Sequence, residues 1–513
     1  MHTVEATWKT ETLEYLKAVL DTSLSQEETR EIIVPDAYPD MQAIVGIEGN
    51  VTLKSKEAGS GRVSVSGSVA ANVLCLTEGG SALKSIELQI PFTIGHDAHE
   101  ITDDAKLCVK AKLASIDARM INSRKVLVRA DIMVEVQAFE RASLSHAVEL
   151  DGETECGLHI RKEHLEFRFV SQVCEKTFVL ADEFALPAGK AAIGEILKSH
   201  IRLHTDDVKN VGNKLIFKGA AIVHLLYISA QSEEQQTLEF EAGFSQIVEL
   251  ESGGEDASYE IIIQLTNAYI ESGMTENGGI GLELHAVAQV IERRMKRLSY
   301  ISDAYSTRFD LDVGRTEHTP ESLDETEELQ AEVRESIELP TGVLRVVDFS
   351  AHTGRVQWNM EARKLISRAS VHLSVIYISE EGELQGLTRR FEAMAELDAR
   401  ENRSYTVTAR IGRDVFVLQS ADDLEVKLPL TFTVSPTRKA RFHAIDRLSW
   451  DPEAPKDLEA LPSVTVYHAD GGESLWHLAK RYASTEEQIM SANGVPEDAV
   501  PYPGQLFIIP KAR

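Results

Sequence analysis

Two groups of histidines are spaced in a way that could hold a metal ion. His96, Asp97, His99 and Glu100 lie close together, and His200 and His204 are four residues apart. We predict that the first group lies in a loop, and no further ligand set is near it in sequence. The second group lies in a predicted strand, where residues four apart do not converge on one ion as they do on a helix. Because zinc needs three or four converging ligands, we expect neither a metal site nor a cofactor.

Motifs that indicate catalysis are missing from the sequence. It contains no G-x-S-x-G, no H-E-x-x-H and no G-x-x-x-x-G-K-[ST]. Gly189-Lys190 is followed by Ala191, which lacks the hydroxyl group that holds magnesium in a phosphate-binding loop. The sequence therefore predicts a protein that is not an enzyme.

The last fifty residues contain the best candidates for binding a partner. Trp476 lies off the apolar stripe of a predicted helix, and an exposed tryptophan is a frequent interface anchor. The alternative is that it packs against the edge of a small sheet. The residues that we predict to line a partner-binding groove are Tyr467, His468, Gly472, Glu473, Ser474, Trp476, Asn493 and Phe507.

The same segment shows a β-α-α-β order of predicted elements. A strand at residues 464–468 is followed by a helix with apolar residues at i, i+3, i+4 and i+7. Ser474 and Thr485 are placed to cap the two helices. The second helix ends at Asn493-Gly494, and a turn at Pro503-Gly504 leads into the closing strand. We expect Val464, Leu475, Leu478, Ala479, Tyr482 and Ile489 to form the core of this unit.

This segment resembles the LysM domain over nearly its whole length. The residues that carry the resemblance are Val466, Gly472-Glu473-Ser474-Leu475, Ala479, Asn493 and Pro503-Gly504-Gln505-Leu506. Glu473 and Ser474 stand where the family usually has an aspartate and a threonine, so the acid and the hydroxyl group are kept. The resemblance implies binding of N-acetylglucosamine polymers such as peptidoglycan or chitin.

The rest of the chain contains three copies of one unit. Each copy begins with an extended stretch ending in a proline, and Pro35, Pro187 and Pro340 are separated by 152 and 153 residues. Each then has a long stretch in which every second residue is apolar or small, which predicts a strand with one buried face. These stretches cover residues 63–75, 215–227 and 365–377. Turn residues between further short strands, among them Asn277-Gly278-Gly279 and Ala421-Asp422-Asp423, favour a β-sandwich or barrel in each copy.

The chain is therefore predicted to be mainly β, with three tandem sandwich-like repeats and a small βααβ domain. Leu13, Leu16 and Leu20 have helical spacing and predict an N-terminal helix. The acidic tract between the second and third repeats favours a linker or a short helix. The predicted divisions are a helical segment 1–30, repeats 31–145, 183–295 and 336–436, connectors 146–182 and 296–335, a proline-containing linker 437–462 and a C-terminal domain 463–513.

The three copies, with their proline starts and the stretch Asp303-Ala304-Tyr305-Ser306, resemble the SPOCS domain. Tandem SPOCS domains followed by one LysM domain make up the SipL-type spore coat morphogenetic proteins. The resemblance implies a cytoplasmic protein of the mother cell, located at the forespore surface. It also implies that the LysM domain binds the coat ATPase known as stage IV sporulation protein A, with other coat proteins as further partners.

Composition limits the other classes of partner. The 513 residues include 82 acidic and 53 basic side chains, a formal net charge of −29, which argues against nucleic acid and anionic lipid. The sequence has no apolar stretch long enough to span a membrane, and its four cysteines form no C-x-x-C pair, so we expect reduced thiols. The rival interpretation is a cell-wall protein anchored to peptidoglycan by LysM. The first twenty residues do not read as a secretory signal, which favours the coat interpretation.

Overall fold

The structure is a computed structural model that describes residues 3–78, 83–150, 156–232, 234–251, 253–254, 256–273, 279–339, 342–420, 423–496 and 499–512. Strands dominate it, and the only helices in these ranges are two short ones near the C-terminus. The prediction of a mainly β chain with a small C-terminal βααβ domain is confirmed. Pro340 and the predicted turn residues Asn277, Gly278, Ala421 and Asp422 lie outside the described residues.

The first two repeats have the same succession of strands: a long strand, a three-stranded meander and a closing hairpin. A two-residue strand, β1 (Val4–Glu5), comes before them. The strands of the first repeat are β2 (Trp8–Ile33), β3 (Met41–Gly59), β4 (Arg62–Thr77), β5 (Leu83–Asp97), β6 (Lys106–Asn122) and β7 (Lys125–Leu150). Those of the second are β8 (Leu158–Phe184), β9 (Ile193–Val211), β10 (Lys214–Ser229), β11 (Gln235–Glu249), β12 (Ala257–Ser272) and β13 (Ile280–Ser306).

The third repeat follows the same order after two short connecting strands. The strands that complete this part of the chain are β14 (Phe309–His318), β15 (Glu321–Leu323), β16 (Glu327–Glu338), β17 (Arg345–Glu361), β18 (Lys364–Ile378), β19 (Leu384–Asp398), β20 (Ser404–Ile411), β21 (Phe416–Ser420), β22 (Asp423–Lys439) and β23 (Phe442–Pro455). Here β20 and β21 both pair with β22, in the place of one hairpin strand. A third copy of the unit is therefore present in the fold.

Each repeat is a sandwich of two antiparallel sheets. The meander forms one sheet, and in the other the long first strand pairs with the last strand: β2 with β7, β8 with β13, and β16 with β22. The core lies between the two sheets, where Val65 of β4 and Val134 of β7 belong to one buried cluster in the first repeat. A single bridge between Leu16 and Val170 joins the sheets of the first two repeats into one of six strands.

The predicted alternation along the central strands is confirmed. In β4, β10 and β18, every second residue from Val63, Leu215 and Leu365 onwards is buried, and the residues between them are mostly partly exposed. Period-two alternation places these side chains on the inner face of each meander. The pattern thus identified the core strand of each repeat.

The predicted N-terminal helix is wrong, because residues 8–33 form the strand β2. It pairs with β7 along nearly its full length, and this long-range pairing outweighs the local helical spacing of Leu13, Leu16 and Leu20. A register shift between Ala18 and Leu20 reverses which residues face inward, so a simple alternation is not visible in the sequence.

The predicted connectors are also wrong, since most of their residues lie in strands. Strand β8 runs through residues 158–184, and the acidic tract forms β16, whose Leu329, Ala331 and Val333 face the core while Gln330 and Glu332 between them are exposed. Up to Pro455, the predicted linker continues β22 and forms β23, which pairs with β14 and β1. Polar and charged residues that alternate with apolar ones are compatible with a strand that has one solvent-exposed face.

The three repeats meet in one apolar cluster formed by equivalent positions. Leu74, Leu226 and Ile376 come from the central strands β4, β10 and β18. Val45, Leu197 and Val347 each sit at a bulge in the neighbouring strand, where one extra residue turns a side chain out of the alternating pattern. The bulges therefore direct one aliphatic side chain from each repeat into a shared junction.

The C-terminal domain has the predicted β-α-α-β order. Its elements are β24 (Val464–His468), α1 (Leu475–Arg481), α2 (Glu486–Asn493) and β25 (Leu506–Pro510). Ser474 and Thr485 cap the helices as predicted, and Gly494 ends α2 in the left-handed conformation, with φ of 63°. Neither helix approaches the length of about 20 apolar residues that a membrane-spanning helix needs, and the described residues contain no other.

Candidate functional site

Trp476 of α1 is buried rather than exposed. Only 5% of it is accessible, because its ring packs edge-on against Tyr305 at the end of β13, with the ring centroids 4.8 Å apart. Tyr305 in turn donates a hydrogen bond of 3.0 Å to the carbonyl oxygen of Ser484. The prediction that Trp476 is an exposed anchor is wrong in this arrangement, since the helix face that carries it is seated on the second repeat.

Asp303 holds the C-terminal domain against the second repeat through electrostatic contacts. We call this contact between α1 and the end of β13 the seat of the domain. Its carboxylate accepts hydrogen bonds of 2.8 Å from the indole nitrogen of Trp476 and from Lys480, and a third contact of 2.5 Å comes from Arg315. Burial alone would raise the pKa of Asp303, but the hydrogen bonds from Lys480 and Trp476 outweigh it and hold the pKa below its usual value. The stretch 303–306, noted in the sequence for its resemblance, thus forms the platform for the C-terminal domain.

Three other predicted groove residues hold the domain together. Asn493 donates 2.7 and 2.6 Å hydrogen bonds to the carbonyl oxygens of Ile489 and Ile508 and accepts one of 2.7 Å from the Ile508 amide. Phe507 is 1% exposed and belongs to the core, and Ser474 caps α1. These three side chains therefore stabilise the fold of the domain and do not line an open groove.

The remaining predicted groove residues lie near the surface. Tyr467 is half-buried and its hydroxyl group donates to the carboxylate of Glu473, a contact that raises the pKa of the tyrosine to about 12. His468 and Gly472 are exposed. The structure therefore separates the eight predicted residues into a docked face, a core and a small accessible set, and does not form one groove from them.

A large accessible surface lies on the opposite side of the small sheet. In β24, Val464 and Val466 are 53% and 66% exposed, and in β25, Leu506 and Ile508 are 64% and 44% exposed. Val466 and Ile508 are cross-strand partners, so these side chains are contiguous. We call Val464, Val466, Leu506 and Ile508 the sheet face. Tyr502, close to it in sequence, is 65% exposed.

The sheet face was missed because alternation alone does not say which face is buried. Val464 alternates with Thr465 and was predicted to be core, whereas the structure turns Val464 and Val466 outward. Phe507 and Ile509 of β25 already fill the interior between sheet and helices. The signal present in the sequence was that both faces of β25 are apolar, as LFIIP shows.

The structure does not bring together the histidines that are neighbours in the two sequence groups. His200 and His204 both lie in β9, but His200 approaches Glu48 of β3 and His352 of β17, whereas His204 approaches Asp206 of its own strand and Glu241 of β11. In the described ranges, no group of three ligand atoms includes His96 or His99. The three-residue groups that do occur are Glu48, His200 and His352, and His204, Asp206 and Glu241.

Known protein families match the first two repeats and the C-terminal domain. The family described as "SipL, SPOCS domain" matches residues 33–121 and 192–271, which lie in the first two repeats, and the LysM domain family matches residues 471–510. The uncharacterized protein YkzQ of Bacillus subtilis (strain 168) is 34% identical over 55 residues, which is 11% of this chain and 72% of that protein. No solved structure matches the chain. The third repeat lies outside the matched residues but has the same strand order.

Proposed function

We propose that this chain, which carries SPOCS domains followed by a LysM domain in the SipL-type order, is a non-enzymatic scaffold of the spore coat. The two domain families make it a coat-associated sporulation protein with a LysM module. The scaffold acts in the cytoplasm of the mother cell, at the forespore surface. Its LysM domain recruits the coat ATPase, stage IV sporulation protein A, and thereby helps to place coat layers.

The observation that carries the proposal is the exposed sheet face of the LysM domain. Four aliphatic side chains on two paired strands, each at least 44% exposed, form an apolar patch. Contiguous exposed apolar patches on soluble domains mark protein–protein interfaces, whose buried centres contain few charges. This surface is suited to an apolar surface of a protein partner rather than to the hydroxyl groups of a sugar.

The position of the LysM domain leaves that face free. The helix face is occupied by Asp303 and Tyr305 of the second repeat, while the sheet face lies on the other side of the domain. A partner can therefore bind without displacing the domain from its seat. We propose Val466 and Ile508 as the centre of the contact, in place of Trp476.

The rival function is anchoring to peptidoglycan, which the LysM family supports. Sugar binding would need free hydrogen-bonding groups around a groove. In this chain Tyr467 and Glu473 bind each other, and Asn493 is used for the connection between α2 and β25. We therefore propose the protein partner as the ligand and keep the glycan as the alternative result of the test.

Calorimetry with the full chain distinguishes the two functions. We expect purified stage IV sporulation protein A to bind the wild type, and chitin oligomers and peptidoglycan fragments to bind weakly or not at all. Val466→Glu places a charge in the centre of the sheet face and should weaken binding by at least about tenfold. Val211→Glu, at a valine of the second repeat that is 53% exposed, is the matched control and should bind like the wild type. Tight glycan binding without protein binding would support the rival.

A further inference from the structure

A buried polar cluster lies beside the apolar junction of the three repeats. Its members are Glu48 of β3, Lys198 and His200 of β9, His224 of β10, and Asp348 and His352 of β17. Glu48 is 0% exposed, and Lys198 and Asp348 are each 3% exposed. Burying charged groups is costly unless they are paired or coordinate a metal ion. Each buried charge of the cluster must therefore be balanced by a neighbouring group or by a bound ion.

The charges of the cluster do not balance without a further cation. Lys198 and Asp348 form an ion pair of 2.6 Å, and His224 contacts the same carboxylate at 2.7 Å. Among the described residues, Glu48 has no lysine or arginine within ion-pair distance, and its contacts are to His200 and His352. Either a proton on an imidazole or a bound cation must supply the missing positive charge.

The atoms around Glu48 have the spacing of ligands that share an ion. Oε1 of Glu48 is hydrogen-bonded to Nε2 of His352 at 2.8 Å and lies 3.5 Å from Nδ1 of His200. Two ligand atoms at about 2.0–2.1 Å from one tetrahedral zinc ion are about 3.3 Å apart. The ligand atoms of the three residues all lie within 4.8 Å of one another.

Two of these atoms are buried without a hydrogen bond. Oε2 of Glu48 and Nδ1 of His200 make none among the residues that the structure describes. A buried polar atom without a hydrogen bond costs about 1–3 kcal/mol, so such atoms point to a ligand that the side chains are arranged to meet. Coordination of one ion would satisfy both.

The cluster is reached through a cleft between the repeats. The cleft has a volume of about 370 Å³, and His200 and His352 are among the residues that line it. It gives a path for an ion and room for a water molecule in the remaining coordination position. An ion from solvent can therefore reach the side chains that would bind it.

We propose that Glu48, His200 and His352 bind one divalent transition-metal ion, and that this ion ties the three repeats together. Each repeat supplies one ligand, so the ion acts as a cross-link between parts of the chain that are about 150 residues apart. Two imidazoles and one carboxylate suit zinc rather than calcium or magnesium, which prefer oxygen ligands only.

The test is the metal content of the purified full chain, measured after removal of metal with a chelator and addition of zinc or cobalt. We expect about one equivalent of metal per chain, a cobalt absorption spectrum typical of mixed nitrogen and oxygen ligands, and a higher Tm with metal than without. His352→Ala and Glu48→Gln should lose the metal and the Tm shift. His204→Ala, in the second group with Asp206 and Glu241, is the matched control and should keep both.

The wild-type measurement decides the matter even if a variant fails to fold. A folded wild type that retains no metal and shows no metal-dependent Tm would overturn the proposal and leave a protonated imidazole as the compensating charge. Loss of the metal in His204→Ala with retention in His352→Ala would overturn it as well, because the ion would then lie in the other group.

Discussion

At the residue scale, Asp303 is the side chain on which the position of the LysM domain depends. It joins Trp476 and Lys480 of α1 to Arg315 of β14, and no more than 18% of its side chain is exposed. Hydrogen bonds to a charged group contribute about 1.5–3 kcal/mol each, more than bonds between neutral groups. The seat of the domain is therefore a charged contact supported by the ring of Tyr305.

Asp303→Asn keeps the shape of this side chain and removes its charge. We expect the seat to weaken by about 1.5–3 kcal/mol, while the LysM domain itself stays folded. Hydrogen–deuterium exchange should then be faster in α1 but unchanged in the strands of the repeats. Asp310→Asn is the matched control, since the side chain of Asp310 is 94% exposed. Equal exchange in α1 for both variants would contradict the role given to Asp303.

The pH dependence of the seat follows from the lowered pKa of Asp303. Because the folded value is below 3.8, the stabilisation is fully present above pH 3.8 and is lost as the pH falls through the folded value. Exchange in α1 of the wild type should therefore rise below pH 3.8, and Asp303→Asn should lack this added rise. A wild-type profile that matches the variant throughout the acid range would refute the assignment.

Residues 476 and 303 also show what the sequence could and could not predict at this scale. The helices, their caps and the apolar core of the LysM domain follow from local spacing, and most were predicted. The burial of Trp476 was not, because its partners Tyr305 and Asp303 are more than 170 positions away in the chain. Burial by a distant strand leaves no local pattern.

At the scale of elements, the central strands need glycine where two strands come close. A Cβ atom on Gly67 of β4 would lie 2.4 Å from the carbonyl oxygen of Thr52, and on Gly219 of β10 2.0 Å from that of His204. Phe92 and Phe244 lie opposite these glycines and cover them. In the third repeat, alanines occupy both positions of the equivalent pair, Ala369 and Ala393, instead of a glycine opposite a phenylalanine. The SPOCS family model does not match this repeat either.

Gly219→Ala should destabilise the second repeat by about 1–3 kcal/mol, because backbone atoms must move to admit the methyl group. Gly243→Ala, on the adjacent strand β11, is the control, since a Cβ atom there would have no neighbour within 4 Å. Urea unfolding of both variants measures the difference. Equal midpoints would show that the strands adjust at no cost.

Strand prediction succeeded where a single buried face persists and failed where the pairing shifts. Strands β4, β10 and β18 keep their alternation, whereas β2 changes phase at its bulge. The acidic tract of β16 was taken for a linker because charge was weighed above the apolar residues between the acids. Pairing with a distant strand, which the sequence does not display, decides these cases.

At the scale of the whole molecule, the three repeats pack against one another instead of forming separate domains joined by linkers. Val45, Leu197 and Val347 meet at the junction, and the polar cluster of Glu48, His200 and His352 lies beside it. The sequence showed three copies but not that their equivalent bulges converge. A single body gives the LysM domain a fixed support, and several binding modules on one support raise the effective concentration of their partners.

The most direct test of the scaffold is the location of the full chain in sporulating cells that carry it. We predict that the wild type, tagged with a fluorescent protein, forms a ring around the forespore inside the mother cell. Val466→Glu should be diffuse in the mother-cell cytoplasm at the same abundance, and the control Val211→Glu should form the ring. A ring formed equally by Val466→Glu, or a wild type found in the cell wall, would contradict the account.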